Sequence, residues 1–396
     1  MKCLYITYDG LLDPLGQSQV LPYIRSLISR GHTFTIISFE KQDRSADLII
    51  ALENHLINNG IRWERLTFKK GKFQFLNRVI SGVFAIWKNR LRSKYDIVHL
   101  RGFMPAAIYK ASLLRTPFIY DIRAFIGEWV DIGKIKEHTW LGRTLIGLDR
   151  RSVESASGLV VLDKSGALLL KEIYNIPSVP LKIIRTCTDT SLYLSKNKKA
   201  LTQDDRNFKF VFLGGAIVPY RPDLALKFVY ELIKKGLNCH IDFINERDHE
   251  QIYLAVKEVN FPTDKINVYK LEKSSIPSAL LQFDCGLIFN NPSRWRRVSS
   301  PTKFGEYLAA GLHTVALNGI SVLEEFSEST GCVDLVSEQD LYGGLPVNKL
   351  DRIVENIRTP NRRDKCQQLA RREFSLKIAG DIYAELYSEM EAQILK

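Results

Sequence analysis

Residues 299–311 read Ser299-Ser300-Pro301-Thr302-Lys303-Phe304-Gly305-Glu306-Tyr307-Leu308-Ala309-Ala310-Gly311, and the rest of the chain is read outward from them. Ser300 suits a helix N-cap and Pro301 the first helical position, because a serine hydroxyl satisfies an orphan amide and proline has no amide to leave unpaired. The free amides at such a start, backed by the positive end of the helix dipole, form an anion site. Lys303 and the hydroxyls of Ser300 and Thr302 reinforce it. Glu306 falls in the second turn, where a carboxylate can bridge two vicinal hydroxyls. A diphosphate at the helix tip and a ribose at Glu306 together describe a nucleoside diphosphate. A plain capped helix with a surface glutamate would read the same way, so the pattern alone leaves both open.

The stretches around it alternate strand and helix. Phe208–Leu213, Asn238–Ile244, Ile266–Tyr269, Cys285–Phe289 and Thr314–Leu317 read as strands, separated by helical patterns at Asp223–Lys235, His249–Val259, Ile276–Gln282 and Pro301–Ala310. The first half shows the same rhythm. Lys2–Thr7, Thr33–Phe39, Asp96–Leu100, Phe118–Asp121, Gly158–Leu162 and Lys182–Ile184 read as strands, with helices over Val20–Arg30 and Pro105–Leu114. Such alternation predicts doubly wound parallel sheets covered on both faces. At 396 residues the chain is too long for one ordinary core. The expected organisation is an α/β protein of two facing Rossmann-like domains. One spans 1–190, a polar linker 191–207 follows, and the second spans 208–365. A helix over 366–396 packs back on the first domain. Ligands of such folds bind at the carboxyl ends of the strands.

Composition narrows the function. Hydrophobic residues make up 45% and charged residues 25%, as in an ordinary globular protein. No apolar run reaches the roughly 20 residues that span a bilayer. The opening residues run straight into a strand and leave no room for a signal peptide. The six cysteines show no CxxC spacing, which argues against a disulfide framework and suits a reducing cytoplasm. No Gly-x-Gly occurs, which excludes a nucleotide-dependent dehydrogenase. No Asp-x-Asp occurs and the histidines have no ligand spacing, so neither metal nor cofactor is expected. The net charge of +12 has several readings, but no nucleic-acid recognition module accompanies it. Part of that charge is Lys69, Lys70, Lys72, Arg78, Lys88, Arg90, Arg92 and Lys94, a stretch without an acidic residue. Helical spacing sets Leu76, Val79, Ile80 and Val83 on its core face. Its basic end, with Phe73, Phe75 and Trp87, would make weak contact with an anionic membrane, or simply face solvent.

Other segments carry candidate chemistry. Gly214-Gly215 opens the turn after Phe208–Leu213, where backbone without side chains can approach a phosphate closely; a plain turn with Arg221 on the surface is the other reading. The arginines of Asn290–Arg297, Arg296 among them, could pair with a diphosphate, a carboxylated sugar or solvent. Gly16 sits on a loop with Asp13, Gln17 and Ser18. His99 and Asp121 with Arg123 end strands at the expected ligand edge, where a lone histidine is more often structural.

Ser-Pro-x-Lys-x-x-Glu-Tyr-Leu-Ala-x-Gly resembles the donor-binding signature of the family-4-type retaining glycosyltransferases of GT-B fold, enzymes of bacterial lipopolysaccharide, capsule and other surface-polysaccharide assembly. Asp9–Gln19, Tyr120-Asp121-Ile122-Arg123, Arg185–Asp189 with Tyr193, and Phe212-Leu213-Gly214-Gly215 resemble further segments of the same enzymes, in the same order. The resemblance implies a sugar transferred from a nucleoside diphosphate to a hydroxyl of a glycan or lipid-linked acceptor, with retention and without a metal. It implies diphosphate contacts from Ser300, Thr302, Lys303 and Arg221, with ribose on Glu306, while Gly16 lies where a backbone amide could meet the donor phosphate or the transferring sugar. By their position at the expected cleft, His99, Asp121, Arg123 and Glu128 are the candidate catalytic residues, and Glu128 could align or deprotonate the acceptor hydroxyl. A cytoplasmic location, peripheral on the inner membrane face, follows from the same resemblance. An inverting GT-B transferase and a nucleotide-sugar epimerase remain alternatives. Two departures stand out. Many relatives have a glutamate where this chain has Val298, and a histidine near Arg123, so the donor sugar does not carry over.

Overall fold

The computed structural model describes residues 1–68, 71–193 and 207–395. Two compact units divide the chain, Met1–Arg185 with Leu376–Lys396, and Thr186–Ser375. Most of the expected linker, 194–206, lies outside the described residues.

Unit 1 is built on seven parallel strands, β1 (Lys2–Thr7), β2 (Thr33–Lys41), β3 (Arg62–Phe68), β4 (Ile97–Arg101), β5 (Phe118–Asp121), β6 (Gly158–Val161) and β7 (Leu181–Ile183). Their order is β3-β2-β1-β4-β5-β6-β7. The central strands are apolar along their length because helices cover both faces, and β4 and β5 are buried at every position. Edge strand β3 has no buried residue, and its shallow alternation is why the sequence pattern does not reveal it. The helix expected over Val20–Arg30 runs Leu21–Ile28, with Pro22 in its first turn, and is preceded by a π-helical turn over Gly16–Val20.

The helix Lys72–Arg92 covers β2 and β3, but not with the face expected. Leu76 is 62% exposed and Ile80 57%, while Gly82, Ala85, Ile86 and Asn89 are buried. Gly82 sets that rotation: a Cβ there would stand 2.7 Å from Ile108 and 3.4 Å from Phe39, so this glycine is where the helix comes closest to its neighbours.

Unit 2 carries six parallel strands, β8 (Asn207–Leu213), β9 (Asn238–Ile244), β10 (Ile266–Tyr269), β11 (Cys285–Ile288), β12 (His313–Leu317) and β13 (Val333–Val336), in the order β10-β9-β8-β11-β12-β13. Along β8, Phe208, Phe210 and Phe212 enter the core on one face, and Val211 and Leu213 the core on the other, as period-two alternation requires.

The segment 366–396 is not one helix. The helix Arg362–Glu373 belongs to unit 2 and the helix Leu376–Ile394 to unit 1. Phe374, fully buried, drops between Phe304 and Phe326 with ring centroids at 5.2 and 5.4 Å, and that docking breaks the helix.

Candidate functional site

The helix Thr302–Ala309 stands on the carboxyl edge of the unit 2 sheet because of its apolar spacing. Phe304, Tyr307 and Leu308, at i, i+3 and i+4, are fully buried. The Tyr307 ring lies on Gly286 of β11, where a Cβ would come within 2.2 Å of it. Its hydroxyl accepts a hydrogen bond from the amide of Leu213 at 3.0 Å, tying the helix to the end of β8. The first turn holds Thr302 and Lys303, whose amides have no carbonyl four residues back within the helix.

Ser300 does not cap that helix. Pro301 is the N-cap, without a side-chain hydrogen bond, and the Ser300 hydroxyl accepts from the Thr186 amide at 3.1 Å. Proline's fixed φ with an extended ψ ends the loop one residue later than the pattern suggests.

Lys303 is buried, and its ammonium has no hydrogen-bond partner among the described residues. It lies over the rings of Tyr220 and Phe212, at 4.5 and 5.0 Å from their centroids. It also lies against Gly214, where a Cβ would stand 3.3 Å from Nζ. Gly214 adopts φ +107°, a conformation open to glycine, and a side chain at Gly215 would strike the Tyr220 ring. Asp248 holds the turn by accepting from the Ala216 amide at 2.9 Å. Burial pushes the Lys303 ammonium down to about 8, with Glu306 opposing. Glu306, half-buried one turn further along, has its carboxyl pushed up to about 7 by burial, with Lys273 and Lys303 pulling it back. Lys273 and Lys303 are the cations whose charges reach that carboxylate. Tyr220 borders Lys303 and Lys273 acts on Glu306, and no local spacing in the sequence links either to them.

Arg221 does not share this position. Its guanidinium donates to Asp223 at 2.6 and 2.9 Å, to Glu338 at 2.9 Å and to Asn291 at 3.1 Å. Two carboxylates already neutralise it. In the arginine loop, Arg296 is buried and Arg297 pairs with Glu324 at 3.1 Å. Val298 is buried too.

In unit 1, three of the expected catalytic residues, His99, Asp121 and Arg123, come together in one network. Asp121 is fully buried and enclosed by Arg123 at 2.8 Å, the Tyr383 hydroxyl at 2.8 Å, and Arg101 and His99 each at 3.5 Å. Against the upward push of burial, Arg123, His99 and Arg101 hold its carboxyl well below the usual range. His99 is buried as well, with Nδ1 2.9 Å from the Tyr387 hydroxyl, and burial lowers its pKa. Tyr383 and Tyr387 come from the C-terminal helix, more than 250 residues away, which is why the sequence conceals the enclosure. Asp121 and His99 are therefore members of an internal ionic network, surrounded by protein side chains. Arg123 donates to Asp121 and Tyr383 while staying partly exposed. Glu128 is half-buried in the first turn of the helix Ile126–Asp131. Gly16 is required by packing, since a Cβ would stand 2.0 Å from the Gly10 carbonyl oxygen.

No family model and no curated protein matches the sequence. Solved structures do match. Sucrose-phosphate synthase from Thermosynechococcus elongatus aligns over 99% of this chain and 99% of its own, at 11% identity and a TM-score of 0.72. WaaG, a glycosyltransferase involved in lipopolysaccharide biosynthesis, aligns over 96% and 99%, at 12% identity and 0.66. The fold is GT-B. A putative UDP-N-acetylglucosamine 2-epimerase from Listeria monocytogenes aligns over 99% and 97%, at 13% identity and 0.58. The GT-B fold thus accommodates both transferase and epimerase chemistry, and the choice has to come from the site.

Proposed function

We propose that this chain is a glycosyltransferase that takes its sugar from a nucleoside diphosphate. In this reading the diphosphate lies at the start of the helix Thr302–Ala309, against the Gly214-Gly215 turn, with Lys303 as its counter-charge. Glu306 accepts from the ribose hydroxyls. The observation that carries the reading is the Lys303 ammonium, buried with no hydrogen-bond partner among the described residues. Burying an unpaired cation costs stability, and a protein retains that cost where a ligand relieves it. Glu306 is the carboxylate whose charge acts on Lys303, and burial pushes its pKa up to about 7, so it offsets the ammonium only in part and leaves a place for an anion from outside.

The acceptor is a hydroxyl of a glycan or a lipid-linked oligosaccharide in surface-polysaccharide assembly, and the sugar keeps its anomeric configuration. Enclosure of Asp121 supports retention, because an inverting route needs a positioned base and Glu128 is the remaining candidate. The leaving diphosphate then takes the acceptor proton on the face from which it departs. No metal enters this scheme; helix amides and Lys303 meet the developing charge. Peripheral attachment to the inner face of the membrane would bring the enzyme to a lipid-linked acceptor.

The test is a transfer assay with UDP-, GDP- and dTDP-sugars and a panel of glycan and lipid-linked acceptors, read by mass spectrometry and anomeric proton NMR. The expected result is a glycosylated acceptor with released nucleoside diphosphate and unchanged anomeric configuration. An altered sugar formed without any acceptor would point to an epimerase instead.

A further inference from the structure

The helix Lys72–Arg92 turns an apolar face outward. Leu76 is 62% exposed, Ile80 57%, Phe84 70%, Trp87 43% and Leu91 83%. At 100° per residue these five fall within an arc of about 80°, forming a ridge about 22 Å long. The Trp87 ring nitrogen donates to the Ser112 carbonyl at 3.2 Å, and the next residue, Leu113, is 83% exposed and adds apolar surface beside it. Single exposed leucines are ordinary, but a row of five on one helix marks an interaction surface.

Charge indicates what covers it. Between Glu64 and Asp96 there is no acidic residue. Around the helix Lys88 falls on one flank of the ridge and Arg90 on the other, while Arg92 and Lys94 are exposed just beyond its end. Lys88 pairs with Glu64 at 2.6 Å, a single acid against this basic border. A second copy of the chain, meeting ridge to ridge, would set these like charges against each other. An anionic lipid surface suits both features, with acyl chains for the ridge and headgroup phosphates for the basic flanks.

We propose that the helix Lys72–Arg92 docks the protein on anionic bilayers by inserting Leu76, Ile80, Phe84, Trp87 and Leu91 into the interface. The attachment is an embedded apolar ridge rather than adherence of the basic end 69–72 alone, of which Lys69 and Lys70 lie outside the described residues. It deepens the lipid-linked acceptor reading but is tested without donor or acceptor, so either can fail by itself.

The experiment is flotation of the full-length protein with vesicles of phosphatidylcholine alone or enriched in phosphatidylglycerol. Wild type is expected to float with the anionic vesicles about ten-fold more than with the neutral ones, and to keep part of that binding at high salt. The double variant Ile80→Asp/Phe84→Asp should lose about ten-fold or more of it, while Leu254→Asp, on an exposed site of unit 2, should lose none. Wild-type tryptophan emission should shift to the blue with anionic vesicles, and Trp87→Phe should lose most of that shift, so the outcome does not depend on the double variant folding. Absent binding by wild type, equal binding by a folded double variant, or a ridge-dependent dimer that ignores vesicles would each overturn the proposal.

Discussion

Lys303 and Glu306 make the residue-scale case, and their charges give it a pH dependence. Lys303→Met keeps the contacts with Phe212 and Tyr220 but removes the ammonium. It should weaken nucleoside diphosphate binding by about 10- to 100-fold, without loss of apo stability. In wild type the affinity should fall as pH rises past about 8, where Lys303 loses its proton, and that fall should be absent in the variant. Glu306 acts on stability. Its folded value of about 7 exceeds its ordinary 4.5, so between those values the folded chain holds a proton that the unfolded chain has released. The corresponding stability is complete below the ordinary value and lost as pH rises to about 7. Glu306→Gln should therefore be more stable than wild type at about pH 8 by roughly 1–3 kcal/mol and similar at about pH 4, as denaturant melts would show. The sequence motif placed these two residues one turn apart on a helix start. It could not place Tyr220 over Lys303, nor show that Asp223 and the distant Glu338 had already claimed Arg221.

At the scale of elements, the proposed nucleotide site depends on how the helix Thr302–Ala309 seats on the sheet. Tyr307 fits only because β11 has glycine beneath it. Gly286→Ala should force the ring and its helix off the sheet, destabilise the fold by about 1–3 kcal/mol, and weaken nucleotide binding, although no ligand-facing atom changes. A calorimetric melt and a nucleotide titration on the same variant would check both; lowered stability with full affinity would show that the helix position matters less. The strong elements were readable because central parallel strands are continuous apolar runs. Edge strand β3 was not, because it buries nothing completely, and the break at Phe374 was not, because only its aromatic partners in unit 2 mark it. On the helix Lys72–Arg92 the period was legible but the buried face was not, since apolar residues occupy both sides.

The whole molecule is threaded so that its last helix completes its first unit. Leu376–Ile394 supplies Tyr383 and Tyr387 to the network around Asp121 and His99, and pairs Glu385 and Glu389 with Lys182 at 2.7 and 2.8 Å. Ending the chain at Ser375 would open that network to water and uncover the unit 1 surface that Tyr383, Leu386, Tyr387 and Met390 bury. Such a truncation should lose hydrogen-exchange protection across β1, β4 and β5 while β8, β11 and β12 stay protected. Uniform protection would mean that the helix is not integral to unit 1. Two doubly wound sheets were legible from the rhythm of the chain. The part of the last helix in enclosing Asp121 depends on contacts across more than 250 residues, which no local pattern shows.

Calorimetric titration of UDP, GDP and dTDP into the protein, in buffer containing EDTA, tests whether Lys303 holds a nucleoside diphosphate. Saturable one-to-one binding of at least one of them is expected without any divalent cation, weakened at least ten-fold in Lys303→Met. Binding that appears only on adding magnesium or manganese, binding unchanged by that substitution in a folded variant, or none at all would contradict it.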